Sequence, residues 1–249
     1  MWLAGAKVHD LYLGTRLVAL CEGKRLIARQ PVADASTGLA VAAEWLGALA
    51  PRAKLRIWLS GMLCRPFFVE PIAGLRREEE IRKIIQTQAQ RALGHQEPCR
   101  VWQDLATQPG QHIAVAARES WLGQIAQTMR SLKRPVKSVA PWWAEVLRAH
   151  SANTEAKALT SNRTDMQVLA VHDCDSLTIL AGSGQGFTLV RTVAPIGDAV
   201  SARSALSRSL LSQDMPKASP VWVALMAEGS ATGTLWPQQA LSPILEAGP

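Results

Sequence analysis

The feature that most restricts the fold is a repeat of very long period. Leu17-Val18-Ala19-Leu20-Cys21 runs through Glu22-Gly23-Lys24 into Arg25-Leu26-Ile27-Ala28-Arg29, and Leu177-Thr178-Ile179-Leu180-Ala181 runs through Gly182 to Gly186 into Phe187-Thr188-Leu189-Val190-Arg191. Each copy reads as a hairpin closed by a glycine turn, and an Ala-rich stretch of helical spacing follows each, at residues 37–49 and 199–211. Two common hairpins that merely converged would look the same. The period, however, lies far beyond the roughly 20–50 residues of solenoid arrays, so the chain is read as two related lobes.

The segments between the copies fill out an α/β pattern. A run at Val8 to Leu13 lies beside the first hairpin, and strands are expected at 55–59 and 67–69, where apolar residues alternate or cluster. Residues 76–93 carry Ile81, Ile84, Ile85, Ala89 and Leu93 on one stripe, with glutamates at the start and Gly94 just beyond the end, which predicts a helix. Strands near 101–102 and 112–117, a helix over 120–132, a strand at 136–139 and a helix over 141–150 that opens on Trp142-Trp143 follow. Residues 151–164, rich in Ser, Asn and Thr without periodicity, read as a linker. The expected lobes are therefore residues 1–155, with strands and helices inserted, and a smaller one over 164–249, with strands at 166–171, 177–181, 187–193 and 221–226 and a short helix at 238–245.

Totals exclude several classes. With 48% apolar and 19% charged residues the chain belongs among folded globular proteins. The first ten residues already include Lys7, His9 and Asp10, unlike a signal peptide, and no run of about eighteen apolar residues occurs, so a cytoplasmic protein is expected. Cys21, Cys64, Cys99 and Cys174 are too scattered for a zinc site or disulfide framework. The net charge of +7 admits nucleic acid, anionic lipid or an acidic protein as partner. Dispersed basic residues and only one Tyr and three Phe argue against nucleic acid and leave at most diffuse, peripheral attraction to a membrane.

Leu11-Tyr12-Leu13-Gly14-Thr15 at the end of a strand resembles the first phosphate-binding hairpin of the actin-like superfamily, whose pattern is apolar-Asp-apolar-Gly-Thr, and Val171-His172-Asp173-Cys174-Asp175-Ser176 is similar in place to the second. The strand at 55–59, Phe67-Phe68-Val69-Glu70-Pro71, the Glu-rich helix, Ala114-Val115-Ala116-Ala117-Arg118 and Val139-Ala140-Pro141 resemble one branch in particular. It is the PilM/GspL type: the M protein of type IV pilus assembly and the cytoplasmic domain of the L protein of type II secretion. The resemblance implies an actin-like ATPase (ribonuclease H-like) duplicated fold, with two lobes of mixed sheets flanked by helices.

It also implies where a nucleotide would sit, at Gly14, Thr15 and Asp173, and shows those motifs to be degenerate. Tyr12 stands where an Asp would hold magnesium, and Cys174-Asp175-Ser176 replaces a glycine-rich run with bulk and negative charge that would oppose a phosphate. Asp10, on the same side of the strand as Tyr12, would substitute only through a register shift. His172-Asp173-Cys174-Asp175 contains metal-ligand types, but successive strand residues face opposite ways, so a hairpin-edge cluster is expected and no metal site. Gly182 to Gly186 lies between strands and is a turn, not a dinucleotide fingerprint. No catalytic residues are expected, and no cofactor; ATP is the only ligand the fold would bring.

The expected function is that of a non-catalytic scaffold at the inner face of the membrane, held there peripherally through partners. The resemblance supplies those partners as inner-membrane platform proteins, one offering a short peptide to a groove between subdomains, and a motor ATPase; a homodimer is compatible with it. The lack of a following membrane helix suits the stand-alone M-like arrangement, or else a family member whose anchor lies on another chain. The rivals are an ATP-binding actin-like switch and a basic nucleic-acid-binding module.

Overall fold

The computed structural model describes residues 8–23, 25–50, 53–69, 78–103, 112–148, 167–183, 186–196, 199–212 and 221–225. The expected linker, the helix at 238–245 and the outer limits of both lobes fall outside them.

The first repeat copy builds β1 (Val8–Leu13), β2 (Leu17–Glu22), β3 (Arg25–Pro31) and α1 (Ala35–Ala48), and then β4 (Lys54–Leu59) returns parallel to β1. The second builds β9 (Gln167–His172), β10 (Leu177–Ser183), β11 (Gly186–Val193) and α5 (Ala199–Leu211), and β12 (Val221–Leu225) returns parallel to β9. Spatial orders β3-β2-β1-β4 and β11-β10-β9-β12 are the same arrangement twice, and each second strand has a register shift near its tip, at Leu20/Cys21 and at Ala181/Gly182. Agreement in topology and in irregularity is more than two converging hairpins would produce.

Between β4 and β8 (Val136–Pro141), which completes the first sheet parallel to β4, the chain makes an excursion. β5 (Cys64–Val69), α2 (Glu78–Leu93), β6 (Cys99–Gln103), β7 (His112–Arg118) and α3 (Glu119–Ser131) form a three-stranded sheet ordered β5-β7-β6 with its helices. The strand expected at 67–69 begins earlier, at Cys64, and includes Pro66. That is tolerated because β5 pairs only with β7 and lies at a sheet edge. Helix α1 starts at Ala35 rather than 37 because the Asp34 carboxylate accepts the Thr37 N–H at 2.7 Å and caps it.

The central strands β1, β2 and β4 of the first sheet are covered on both faces, which is why they read as nearly continuous apolar runs, whereas the edge strands β3 and β8 are partly exposed. Leu11, Leu13, Leu55, Ile57 and Leu59 face Leu39 and Leu46 of α1 and Ile125 and Met129 of α3. The alternate residues Tyr12, Leu17, Ala19, Cys21 and Trp58 face the helix α4 (142–148), through Trp142, Trp143 and Val146, and the second lobe through Leu169, Val171, Cys174 and Leu180. One core thus spans both lobes. The second lobe packs its other face, Val168, Ala170, Leu177 and Ile179, on Ala202, Ala205 and Leu206 of α5, and the inserted sheet packs Phe67, Val69 and Ala114 on Ala89 and Leu93 of α2.

Candidate functional site

The two repeat copies meet at their hairpin turns. Pairing of Leu13 with Val18 and of His172 with Leu177 leaves four-residue turns, 14–17 and 173–176, each closed by a bond from its first N–H to its last carbonyl: Gly14 to Leu17 at 2.9 Å and Asp173 to Ser176 at 3.1 Å. Asp173 is therefore the counterpart of Gly14. Its neighbour Cys174 takes φ 73, the left-handed backbone that glycine adopts without strain.

The turns are clasped directly to each other. Oδ2 of Asp175 accepts the Thr15 N–H at 2.6 Å, the Thr15 hydroxyl at 2.8 Å and the Ser60 hydroxyl at 3.1 Å. Asp173 accepts the Gly61 N–H at 2.6 Å through Oδ2 and the Ser176 N–H and hydroxyl, at 3.2 and 2.6 Å, through Oδ1. Glycine is needed at two points of the clasp. A Cβ on Gly14 would stand 3.1 Å from the Tyr12 ring and 3.2 Å from Asp175, and one on Gly61 would stand 2.6 Å from the Thr178 hydroxyl and 2.7 Å from that of Ser176.

Tyr12 is fully buried, donates its hydroxyl to the Asp173 carbonyl at 2.7 Å and meets Trp142 edge-on at 6.2 Å. Burial, followed by the Asp173 and Asp175 charges, pushes its pKa further above 10, so it stays a neutral donor. Asp173 is fully buried as well; burial first and the nearby Asp175 second hold its carboxyl well above the usual range, against the Ser176 and Gly61 donors. The two carboxylates share their site by one of them keeping its proton.

Gly14, Thr15 and Asp173, the positions singled out in sequence, thus do come together. Asp10 does not join them: Arg56 grips it at 2.7 Å through both Nε and Nη2, and Trp58 Nε1 donates to it at 2.9 Å. Among the described residues no three His, Cys, Asp or Glu side chains converge on a common point. Ser60 and Gly61, at the end of β4, carried no sequence signal, and Asp175 was legible only as a charge.

Beside the clasp runs a groove of about 550 Å³ between the first sheet and the inserted one. Arg16, the N-terminus of α1 at Asp34, Arg65, Leu93, Arg118 and Trp121 line it, and Pro195 of the second lobe closes one side.

No protein-family model matches the sequence, and no curated protein matches it significantly. Solved structures do. The chain superposes on the cytoplasmic domain of EpsL, an inner membrane component of the type II secretion system of Vibrio cholerae, with a TM-score of 0.51 at 13% identity, covering 89% of this chain and 84% of that one. A Bacteroides thetaiotaomicron protein with an actin-like ATPase fold and unknown function gives 0.55 at 9% identity, over 90% and 83% of the two chains. The PilM-PilN type IV pilus biogenesis complex gives 0.51 at 15% identity, over 87% and 80%. The duplicated sheets, the inserted three-stranded sheet and these superpositions together show a mixed α/β fold of the actin-like type.

Proposed function

We propose that this protein is a non-catalytic scaffold of an inner-membrane assembly platform of the type II secretion or type IV pilus kind, binding platform partners and a motor ATPase. The observation that carries the non-catalytic part is the clasp. In actin-like hydrolases the hairpin amides face phosphate oxygens; here the Thr15 N–H faces the Asp175 carboxylate at 2.6 Å. Admitting a nucleotide would break four bonds, three to the Asp175 carboxylate and one from Gly61 to the Asp173 carboxyl. At about 1.5–3 kcal/mol for each of the three bonds to the charged Asp175 and about 0.5–1.5 kcal/mol for the bond to the protonated Asp173, the loss is on the order of 5–10 kcal/mol. That is comparable with the whole binding free energy of a micromolar ligand, about 8 kcal/mol.

The partner-binding part is supported by the likeness to EpsL and to PilM in complex with PilN, and by the groove, which is open, partly apolar and built by two subdomains. Thermal melting with millimolar magnesium-ATP tests the first part: no shift is expected, whereas a saturable rise in melting temperature would establish the nucleotide switch instead. Co-purification with the cytoplasmic segments of platform proteins from the same organism tests the second, with groove-filling variants as the control.

A further inference from the structure

We propose that the groove receives an extended segment of a partner protein bearing Asp or Glu side chains, whose carboxylates are taken by Arg16 and Arg118. This rests on the reading of the groove as a partner-binding site and names the chemistry of its occupant.

Arg16 and Arg118 are exposed at the rim, and the Arg16 side chain makes no hydrogen bond or ion pair among the described residues. Arg118 has one acidic neighbour, Glu97, at 3.5 Å, and both side chains are about half exposed, so that pair is worth little. Between them Arg65 spends Nη1 on the Ala92 carbonyl and Nη2 on the Met62 sulfur, both at 3.2 Å, and its buried Nε finds no acceptor.

Among the described residues the acids nearby are engaged or buried: Asp34 caps α1, Glu97 also takes the Ser120 hydroxyl at 3.0 Å, and Asp175 turns Oδ2 to three donors and keeps Oδ1 buried, out of reach of the rim. Arg65 titrates below its usual range because of burial and then Arg118, despite Asp175, which agrees with a local excess of positive charge.

Apolar side chains form the floor: Leu93 and Trp121 are buried, and Met62 and Leu63 half-buried. A strand-like segment sends alternate side chains to opposite sides, so apolar residues can enter the floor while acidic ones reach the rim. Nucleic acid suits the groove less well, because the one aromatic ring among its described lining residues, Trp121, is 8% exposed and offers no stacking face.

A displayed library of random peptides, selected on the natural protein and counter-selected on Gln124→Trp, an exposed groove-lining position, tests this. The expected result is a groove-dependent pool enriched in Asp and Glu. Affinities of its members, read by fluorescence anisotropy, should fall with added salt and by about tenfold in the Arg16→Gln/Arg118→Gln double variant. Groove-dependent peptides without acidic enrichment, or indifferent to the double variant, overturn the carboxylate inference and leave the partner groove standing. A pool with no groove-dependent members overturns both. Displacement of selected peptides by equimolar oligothymidylate would also overturn it, by making phosphate the group recognised.

Discussion

Asp173 and Gly61 are the two residues on which the clasp turns. A carboxyl whose pKa rises on folding binds its proton more tightly in the native state. Its contribution to stability is therefore complete below the unfolded value of about 3.9 and is lost as pH climbs toward the raised native value. Urea unfolding across that window should show stability falling as pH rises, and Asp173→Asn should flatten the slope. At low pH the variant should be less stable, since in either orientation its NH2 sets a donor against the Gly61 or the Ser176 N–H; a slope unchanged by the substitution would contradict this assignment. Gly61→Ala forces a methyl within 2.7 Å of two hydroxyls that are themselves held in place, and overpacking of this kind costs about 1–3 kcal/mol. Thermal melting should register it as a loss of roughly 2–12 °C for a chain of this size.

Among the elements, α4 decides how firmly the lobes hold together. Trp142 is 1% exposed, stacks edge-on to Tyr12 of β1 and belongs to the same cluster as Leu169 and Val171 of β9. Trp143 adds an indole N–H donated to the Cys64 carbonyl at 3.0 Å, tying α4 to the start of β5. Trp142→Ala should cost about 3–5 kcal/mol, measurable as a shift of the urea midpoint without change of fold by circular dichroism. The abundance of tryptophan in the sequence thus has part of its explanation in the core shared by the lobes, where Trp58, Trp142 and Trp143 meet. Trp102, 38% exposed on edge strand β6, lies outside that core.

For the molecule as a whole, a core that crosses from one lobe to the other, reinforced by the clasp, leaves no separable halves. Unfolding is expected to be a single cooperative transition, with tryptophan fluorescence and far-UV circular dichroism coinciding; two resolved transitions would show that the lobes fold independently. A body of this kind holds its surfaces at fixed distances, which suits a protein that positions partners. A cleft that opens and closes on a nucleotide needs the opposite.

Much of this was legible in the sequence because its causes are local. The period-two and period-3.6 spacing of apolar residues, Gly23 with φ 61 and Gly94 with φ 73 at their turns, and Asp34 ahead of α1 act over a few residues. The long repeat then announced two lobes. Gly14, Thr15 and Asp173 were singled out by the resemblance to the actin-like phosphate hairpins, which marks the turns but not their contacts. What the tertiary structure alone decided is the pairing of groups some 160 positions apart: Thr15 with Asp175 and Tyr12 with the Asp173 carbonyl. It also recruited Ser60 and Gly61 and gathered Arg16, Arg65 and Arg118 around one groove. Those contacts depend on how sheets stack and on where an inserted subdomain comes to rest, and neither leaves a periodic trace along the chain.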